Sequence, residues 1–364
     1  MCVTGWAQTR TISINDDDSA TRAYRLEHVD IELTRKCNLG CIHCSALASR
    51  NGSGWVELSL CEIQKILEAA KPLGLKAVGL TGGEPFRQKR KLMKVLNFCQ
   101  NDIQTPAHIH TNGTLICHED AEELSRNVSE VTMALYGSKS STHDFITQKE
   151  GSMKSALKGL ERLILAGANV SVYTVPMRYN LREIVPLIRR VSKKGVRKMR
   201  ILSLSPTGRA RSKFDKISLT SDEVAWLGEE IGKAQKEIET EVYAGFCTSQ
   251  SYPKLKMLPG HDSCLAAENR LHVDAFGAVF PCTAASGQSF FVAGNLRDRH
   301  YSLAELWQQS PLLQFIRRFH SSPPHKCKKC IKHANCMSGC RVLIANKYGD
   351  VTIADPCCKG PLYS

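Results

Sequence analysis

The stretch His28-Val-Asp-Ile-Glu-Leu-Thr-Arg-Lys-Cys37-Asn-Leu-Gly-Cys41-Ile-His-Cys44 decides how this chain is read. Its first seven residues alternate polar and apolar side chains, the two-residue period of a β-strand. Directly after that strand come three cysteines within eight residues. If the chain continues as alternating strands and helices, the cysteine loop opens at the C-terminal ends of a parallel sheet, where α/β proteins carry their chemistry.

The alternation continues. Residues 75–81, 107–111, 128–135, 170–175 and 198–204 read as further β-rich runs, which with 28–34 predict six strands. Helices are predicted from the capping box Ser59-Leu-Cys-Glu62, over 89–100, over 152–166 and over 181–194. Such a pattern predicts an α/β fold, with helices covering a parallel sheet that is either open or curled into a partial barrel. Beyond it, Ser205-Pro-Thr-Gly-Arg-Ala210 reads as a turn, and a polar helix is predicted from the capping box Thr220-Ser-Asp-Glu223 to about residue 240. From Cys264 the character changes to a hairpin over 270–281 turning at Phe276-Gly277, a helix capped by Ser302-Leu-Ala-Glu305, and a cysteine-dense tail. The expected organisation is an N-terminal extension (1–27), a core (28–210), a helical bridge (211–262) and a cysteine-rich domain (263–364).

Composition narrows the class. With 364 residues, 42% hydrophobic and 23% charged, the chain can bury one large core or two modest ones. No run approaches the eighteen apolar residues of a membrane helix, and the start lacks a basic segment followed by an apolar one, so a cytoplasmic protein is expected. Sixteen cysteines in such a chain point to thiolates held for metal rather than to disulfides.

The loop thiolates suit an iron–sulfur cluster or a zinc ion. Closed sites of either kind want four protein ligands, and three leave a position for substrate or cofactor. His43, beside Cys44, is poorly placed to be the fourth. At the end of the second strand stands Thr81-Gly-Gly-Glu-Pro85, where two glycines permit close backbone approach and the Glu84 carboxylate can accept hydrogen bonds from a cationic amine.

With these paired motifs the chain resembles the radical S-adenosylmethionine (SAM) enzymes over roughly residues 28–205. The resemblance implies a partial (β/α)6 barrel in which Cys37, Cys41 and Cys44 bind three irons of a [4Fe-4S] cluster, the fourth iron being chelated by SAM. It implies that Gly82, Gly83 and Glu84 hold the methionine amine and that His43 lies beside the adenine. Thr111-Asn112-Gly113 matches a polar strand end lining the same site, and reads equally as a plain Asn-Gly turn. The chemistry implied is reductive cleavage of SAM to a 5′-deoxyadenosyl radical that abstracts hydrogen from the substrate.

In the tail, Cys264-x17-Cys282, with Gly277 between them, precedes Cys327-x2-Cys330-x5-Cys336-x3-Cys340 and then Cys357 and Cys358. A zinc ribbon accounts for only four of these. Taken whole, the spacing resembles the SPASM domain with its two auxiliary [4Fe-4S] clusters. That resemblance implies Cys264, Cys282 and Cys340 at the first, and Cys327, Cys330, Cys336 and one of Cys357 or Cys358 at the second. A fourth ligand of the first is either Cys247 or an open site. Cys2, Cys61, Cys99 and Cys117 fall outside every motif and are expected to be buried as small hydrophobes. Three such clusters lower the formal net charge of +14 to about +9. The excess lies in 87–94, 189–200 and 326–332, either solvated faces or a docking surface for an acidic partner. Aromatic residues are not interleaved there, which argues against nucleic acid.

Enzymes of this two-part build mostly modify peptides, and Leu135-Tyr-Gly137, His143-Asp144 and Gly151-Ser152 look like the fourth-strand region of such members. A ribosomally made peptide is therefore the expected substrate, with crosslinking, epimerisation or oxidation as the outcome. An external electron donor such as ferredoxin or flavodoxin is implied. Only 36 residues precede Cys37, too few for the peptide-binding winged-helix domain that many such enzymes carry, so the expectation is that any leader peptide uses a separate binding protein or none. Anaerobic sulfatase-maturing enzymes place aspartate after the second SPASM cysteine, and Thr283 stands there instead, which argues against that reaction. The alternative is a small molecule, a haem precursor or an aminosugar, toward which Pro206-Thr-Gly-Arg-Ala210 points. A non-catalytic iron–sulfur or zinc protein is the reading from another class.

Overall fold

The computed structural model describes residues 24–52, 54–245, 255–257, 264–321, 323–331, 333–355 and 358. Six parallel strands, β1 (His28–Glu32), β2 (Ala77–Thr81), β3 (Ala107–Thr111), β4 (Glu130–Ala134), β5 (Val170–Thr174) and β6 (Lys198–Ile201), pair in chain order. Each lies within the run predicted for it. Helices α1 (Leu60–Ala70), α2 (Lys89–Asn97), α3 (His118–Asn127), α4 (Ser140–Thr147), α5 (Ser152–Leu165) and α6 (Ile184–Ser192) connect them. The Ser59–Glu62 capping box forms in full, with Ser59 N–H donating to Glu62 Oε2 at 2.8 Å and Glu62 N–H to Ser59 Oγ at 3.3 Å.

Alternation along the strands separates two environments. Val29, Ile31, Val78, Leu80, Ile109, Val131, Met133 and Val172 are buried in one apolar core with the helices. The intervening side chains include Asp30, Glu32, His108, His110, Thr132, Ser171 and Tyr173, so the opposite face is polar. Burying an aliphatic side chain contributes about 1.5–3 kcal/mol, which fixes the register because a one-residue slip would exchange the two faces.

Two expectations are revised. The segment read as a helical bridge contains α7 (Phe214–Ile217) and α8 (Ser221–Ala234), the latter with its Thr220–Glu223 box formed, but also β7 (Glu241–Ala244) and β8 (Lys256–Met257). These extend the sheet in parallel beyond β6. The predicted hairpin, β9 (Arg270–Val273) and β10 (Ala278–Phe280), does not start a separate sheet. β9 pairs in parallel with β1, His28 opposite Arg270, and β11 (Gly294–Asn295) follows β10. The result is one open sheet of eleven strands, ordered 11-10-9-1-2-3-4-5-6-7-8.

Helices α9 (Leu303–Gln309), α10 (Pro311–Ser321), α11 (His333–Cys336) and α12 (Arg341–Tyr348) complete the chain. Ser302 is the N-cap of α9, but at ψ 74° its backbone is not extended and its side chain makes no capping bond; the Glu305 carboxylate pairs with Arg299 at 2.7 Å. Among the described residues no helix is long and apolar enough to cross a membrane.

Candidate functional site

The cysteine loop follows β1 and is clamped from three sides. At the end of β2, Gly83 N–H donates to Thr34 O at 2.7 Å and Glu84 N–H to Lys36 O at 2.9 Å. A Cβ on Gly82 would lie 2.5 Å from Thr34 O, and one on Gly83 would lie 2.4 Å from Lys36 O. Both glycines are therefore needed for the strand end to reach the loop backbone. On the far side, Arg209 donates from Nε to Cys41 O and from Nη1 to Ala48 O, each at 2.7 Å, and its own N–H meets Cys44 O at 3.0 Å. Gly208, at φ +53°, lies where a Cβ would come within 2.2 Å of Cys44 O. Arg35, inside the loop's first turn, pairs with Glu32 at 2.6 Å and donates to Ser286, 3.2 Å away beyond β10.

Glu84 is fully buried, and its carboxylate accepts from Thr111 Oγ1 (2.7 Å), Asn112 N–H (2.7 Å) and Phe86 N–H (3.1 Å). Burial pushes its pKa up against these bonds. The same carboxylate that the sequence reading aimed at a cationic amine also ties β2 to β3, and with a single donor on Oε2 it keeps acceptor capacity. Thr111-Asn112-Gly113 is correspondingly more than a turn. Asn112 Nδ2 donates to Asn38 Oδ1 at 3.0 Å and lies 4.0 Å from Cys37 Sγ, while Asn38 donates to Thr114 Oγ1 at 2.8 Å. One polar seam thus joins the cysteine loop, Glu84 and the end of β3.

The three loop thiols converge. Burial pushes Cys37 up to about 11, and burial together with Cys44 and Cys37 raises Cys41 further, with Arg209 opposing in both cases. The three thiols pack with Leu39 and Ala48, unlinked by disulfides and beside one arginine, and are the donor type an iron–sulfur cluster takes, although among the described residues no group of three or more such side chains is gathered closely enough to hold a single metal ion. His43 packs edge-on against Tyr136, with centroids 4.5 Å apart, and burial followed by Arg209 lowers it to about 4. Its Nδ1 is buried with no hydrogen-bond partner among the described residues, a polar atom available to a bound cofactor. Tyr136 is stacked on His143 at 5.8 Å and meets Tyr173 edge-on at 6.4 Å. Burial raises the pKa of both tyrosines, and the Cys41 and Cys44 sulfurs add to the effect.

The fourth-strand region singled out in the sequence is a connected unit. Tyr136 N–H donates to His143 Nδ1 at 3.2 Å, and Asp144 accepts from Gly151, Ser152 and Met153 at 2.7–2.8 Å.

The second cysteine set falls into two groups. Cys282 is pushed up by burial, then by Cys340 and Cys264, so both lie within electrostatic reach of it. Cys327, Cys330, Cys336 and Cys358 line one cavity with His333 and Asp355. Cys247 and Cys357 lie outside the described residues, as does Cys2. Of the remaining cysteines, Cys99 is buried as expected. Cys61 is exposed on α1, and Cys117 serves as the N-cap of α3, its Sγ 3.0 Å from Asp120 Oδ2. Arg209, Arg35, Tyr136 and Tyr173 were not among the candidate residues. Arg209 stood in a visible turn, but nothing in its spacing tied it to loop carbonyls 161 and 168 residues upstream.

Comparison with known proteins agrees with this arrangement. The radical SAM superfamily model matches residues 31–191, and SPASM, an iron–sulfur cluster-binding domain, matches residues 264–331. The chain is 25% identical over 346 residues to the AdoMet-dependent heme synthase of Methanosarcina barkeri, covering 90% of this chain and 94% of that one. It is 26% identical over 316 residues to the mycofactocin maturase MftC of Mycobacterium ulcerans, covering 85% and 81%. Streptococcus suis SuiB bound to S-adenosylmethionine superposes with a TM-score of 0.73 at 20% identity, covering 93% of this chain and 78% of that one; SuiB is also known bound to its precursor peptide SuiA. This chain belongs to the radical SAM superfamily, as an enzyme with a C-terminal SPASM domain that uses [4Fe-4S] clusters and S-adenosylmethionine.

Proposed function

We propose that the enzyme modifies a ribosomally made peptide, by crosslinking, epimerisation or oxidation of a side chain. In this reading Cys37, Cys41 and Cys44 hold the cluster that takes SAM. Cys264, Cys282 and Cys340, with Cys247 as a further candidate, hold the first auxiliary cluster. Cys327, Cys330, Cys336 and Cys358 hold the second. When bound, SAM and its cluster supply a carbon-centred radical by one-electron cleavage of the sulfonium.

The chain's own residues position and shield. Gly82, Gly83 and Glu84 would hold the methionine amine, and Thr111 and Asn112 keep Glu84 in place beside the cysteine loop. His43 offers a buried ring nitrogen to the adenine, and Tyr136 and Tyr173 wall the site from water. The observation that carries the catalytic reading is the Cys37–Asn112–Glu84–Thr111 seam, which makes the cysteine loop and the Gly-Gly-Glu turn one site.

A peptide substrate is supported by the kinship with a maturase and by the fold shared with SuiB. A groove lined by Leu202, Leu204, Phe214, Cys340, Ile344 and Tyr348 also runs from the end of β6 to an auxiliary-cluster cysteine. The second reading, a haem precursor or other small molecule such as an aminosugar, is favoured by the near end-to-end match to the heme synthase. An external one-electron donor such as ferredoxin or flavodoxin, a separate leader-binding protein and a cytoplasmic site of action belong to the proposal.

The test is anaerobic reconstitution with SAM and dithionite, followed by mass spectrometry of candidate substrates. Release of 5′-deoxyadenosine and a mass change in a peptide encoded beside the gene are expected. Conversion of a tetrapyrrole with the peptide left unchanged would overturn the peptide reading.

A further inference from the structure

We propose that the rim formed by the start of α2 and the exposed part of the cysteine loop is the docking surface for a small acidic one-electron carrier protein. The inference rests on the reading that Cys37, Cys41 and Cys44 hold the cluster that takes SAM. Residues 87–94 carry five cations and no acidic residue. They leave the same turn that grips the loop: Glu84 N–H donates to Lys36 O at 2.9 Å, and Arg87 N–H donates to Glu84 O at 2.9 Å. The cationic start of α2 is therefore held against the loop that carries the thiols.

Local partners absorb only part of this charge. Lys89 pairs with Asp120 at 2.6 Å, and Lys91 donates to Leu58 O at 3.0 Å. Arg87, Arg90 and Lys94 are exposed and make no ion pair among the described residues, and neither do Lys36 and Arg50 on the loop itself. The carboxylates between the loop and the first turn of α1 are already engaged. Glu57 Oε1 accepts from Thr34 Oγ1 and Arg35 N–H, each at 2.8 Å, and Glu62 is bound by Arg297 and Tyr301, each at 2.7 Å.

The loop also exposes large apolar side chains: Leu47 at 59%, Trp55 at 76% and Val56 at 79%. Arg297 Nη1 donates to Val56 O at 2.8 Å, which fixes the backbone there. Apolar side chains grouped beside unpaired cations mark a protein interaction site rather than an ordinary solvated face. The charge selects an acidic partner, and the position beside the thiol loop selects one that delivers electrons. One electron passes from the reduced carrier to the oxidised cluster, with no bond made or broken. Rim charges of this kind speed encounter more than they tighten the complex, so the spent carrier can leave.

The test uses the full-length, iron-loaded enzyme with SAM and a limiting amount of reduced flavodoxin as the carrier. Photoreduced 5-deazariboflavin, small and uncharged, serves as the second reductant. In Arg87→Glu/Arg90→Glu, flavodoxin-driven release of 5′-deoxyadenosine should fall about tenfold at low salt, and the deficit should shrink as ionic strength rises. Release driven by the small reductant should stay at the wild-type rate. Val56→Asp should slow the flavodoxin reaction alone. The control is Lys193→Glu/Arg197→Glu, an equal change of net charge at exposed positions before β6, at the opposite end of the sheet. It should leave both rates in place. An unmoved flavodoxin rate in the first variant, or an equal loss in the control, overturns the inference and leaves the cluster reading standing. A parallel fall with both reductants puts the defect in the SAM site and also overturns it. Wild-type enzyme that releases nothing with either reductant overturns the cluster reading and the inference together.

Discussion

Replacing Gly83 by alanine puts a methyl group at the point where β2 meets the cysteine loop, and the structure sets the cost. The new Cβ would stand 2.4 Å from Lys36 O and 2.7 Å from Lys36 C, backbone atoms with no rotamer to escape into. Restoring an ordinary carbon–oxygen contact requires a displacement of about 1 Å. That movement breaks the bonds from Gly83 N–H to Thr34 O and from Glu84 N–H to Lys36 O, worth about 1 kcal/mol each. Overpacking adds about 1–3 kcal/mol, for a total of about 4 kcal/mol. At about 2–4 °C per kcal/mol for a domain of this size, Tm should fall by about 8–16 °C. Gly232 in α8 is the control, because a Cβ there meets nothing within 4 Å. Its replacement by alanine should raise stability by up to about 1 kcal/mol through helix propensity. Anaerobic melting of the two iron-loaded variants, followed by circular dichroism, compares them directly. Should Gly83→Ala melt within about 2 °C of the wild type, the glycine is not what lets the strand reach the loop.

Other substitutions separate the sites. Cys41→Ala should end 5′-deoxyadenosine release and remove about four irons per chain; continued release would place the initiating cluster elsewhere. Cys358→Ala should also lose about four irons while Cys357→Ala keeps them, since Cys358 shares the cavity of Cys327, Cys330 and Cys336; the reverse pattern exchanges the assignment. Arg209→Ala removes two charge-assisted bonds, each about 1.5–3 kcal/mol, from the loop carbonyls. Its first cluster should bleach several-fold faster under chelator, and unchanged bleaching would reduce Arg209 to a surface residue. The pH behaviour follows from Cys37, whose thiol stands at about 11 in the folded apoprotein against about 9 when free. The folded state holds that proton more tightly, so the associated stability, about 3 kcal/mol, is whole below pH 9 and drains away as pH rises toward 11. Urea titrations of apoprotein at pH 8 and 10.5 should differ accordingly, and equal midpoints would refute the shift.

The core strands were legible because each carries apolar residues every second position, and burial of that face leaves one register. The cysteine loop was legible because its ligands are local in sequence. β7 and β8 were not, since four- and two-residue strands have too few positions to show a period, and β9 looked like half of a free hairpin because pairing with β1 is a contact across 242 residues. Glu84 illustrates a different limit. Its place in the motif was visible, but the donors that tie it to the neighbouring strand, Thr111 and Asn112, are brought to it only by the fold. Arg209 is a similar case, because its partners are two carbonyls that only tertiary structure brings near.

The pairing of β9 with β1 makes the C-terminal region inseparable from the core sheet. A chain cut before residue 264 would leave β1, the strand that feeds the cysteine loop, with a bare row of amides and carbonyls along one side. Exposed rows of this kind recruit other copies. Such a fragment is therefore expected to self-associate rather than persist as a minimal catalyst, so dissecting this enzyme calls for point substitutions in preference to truncation.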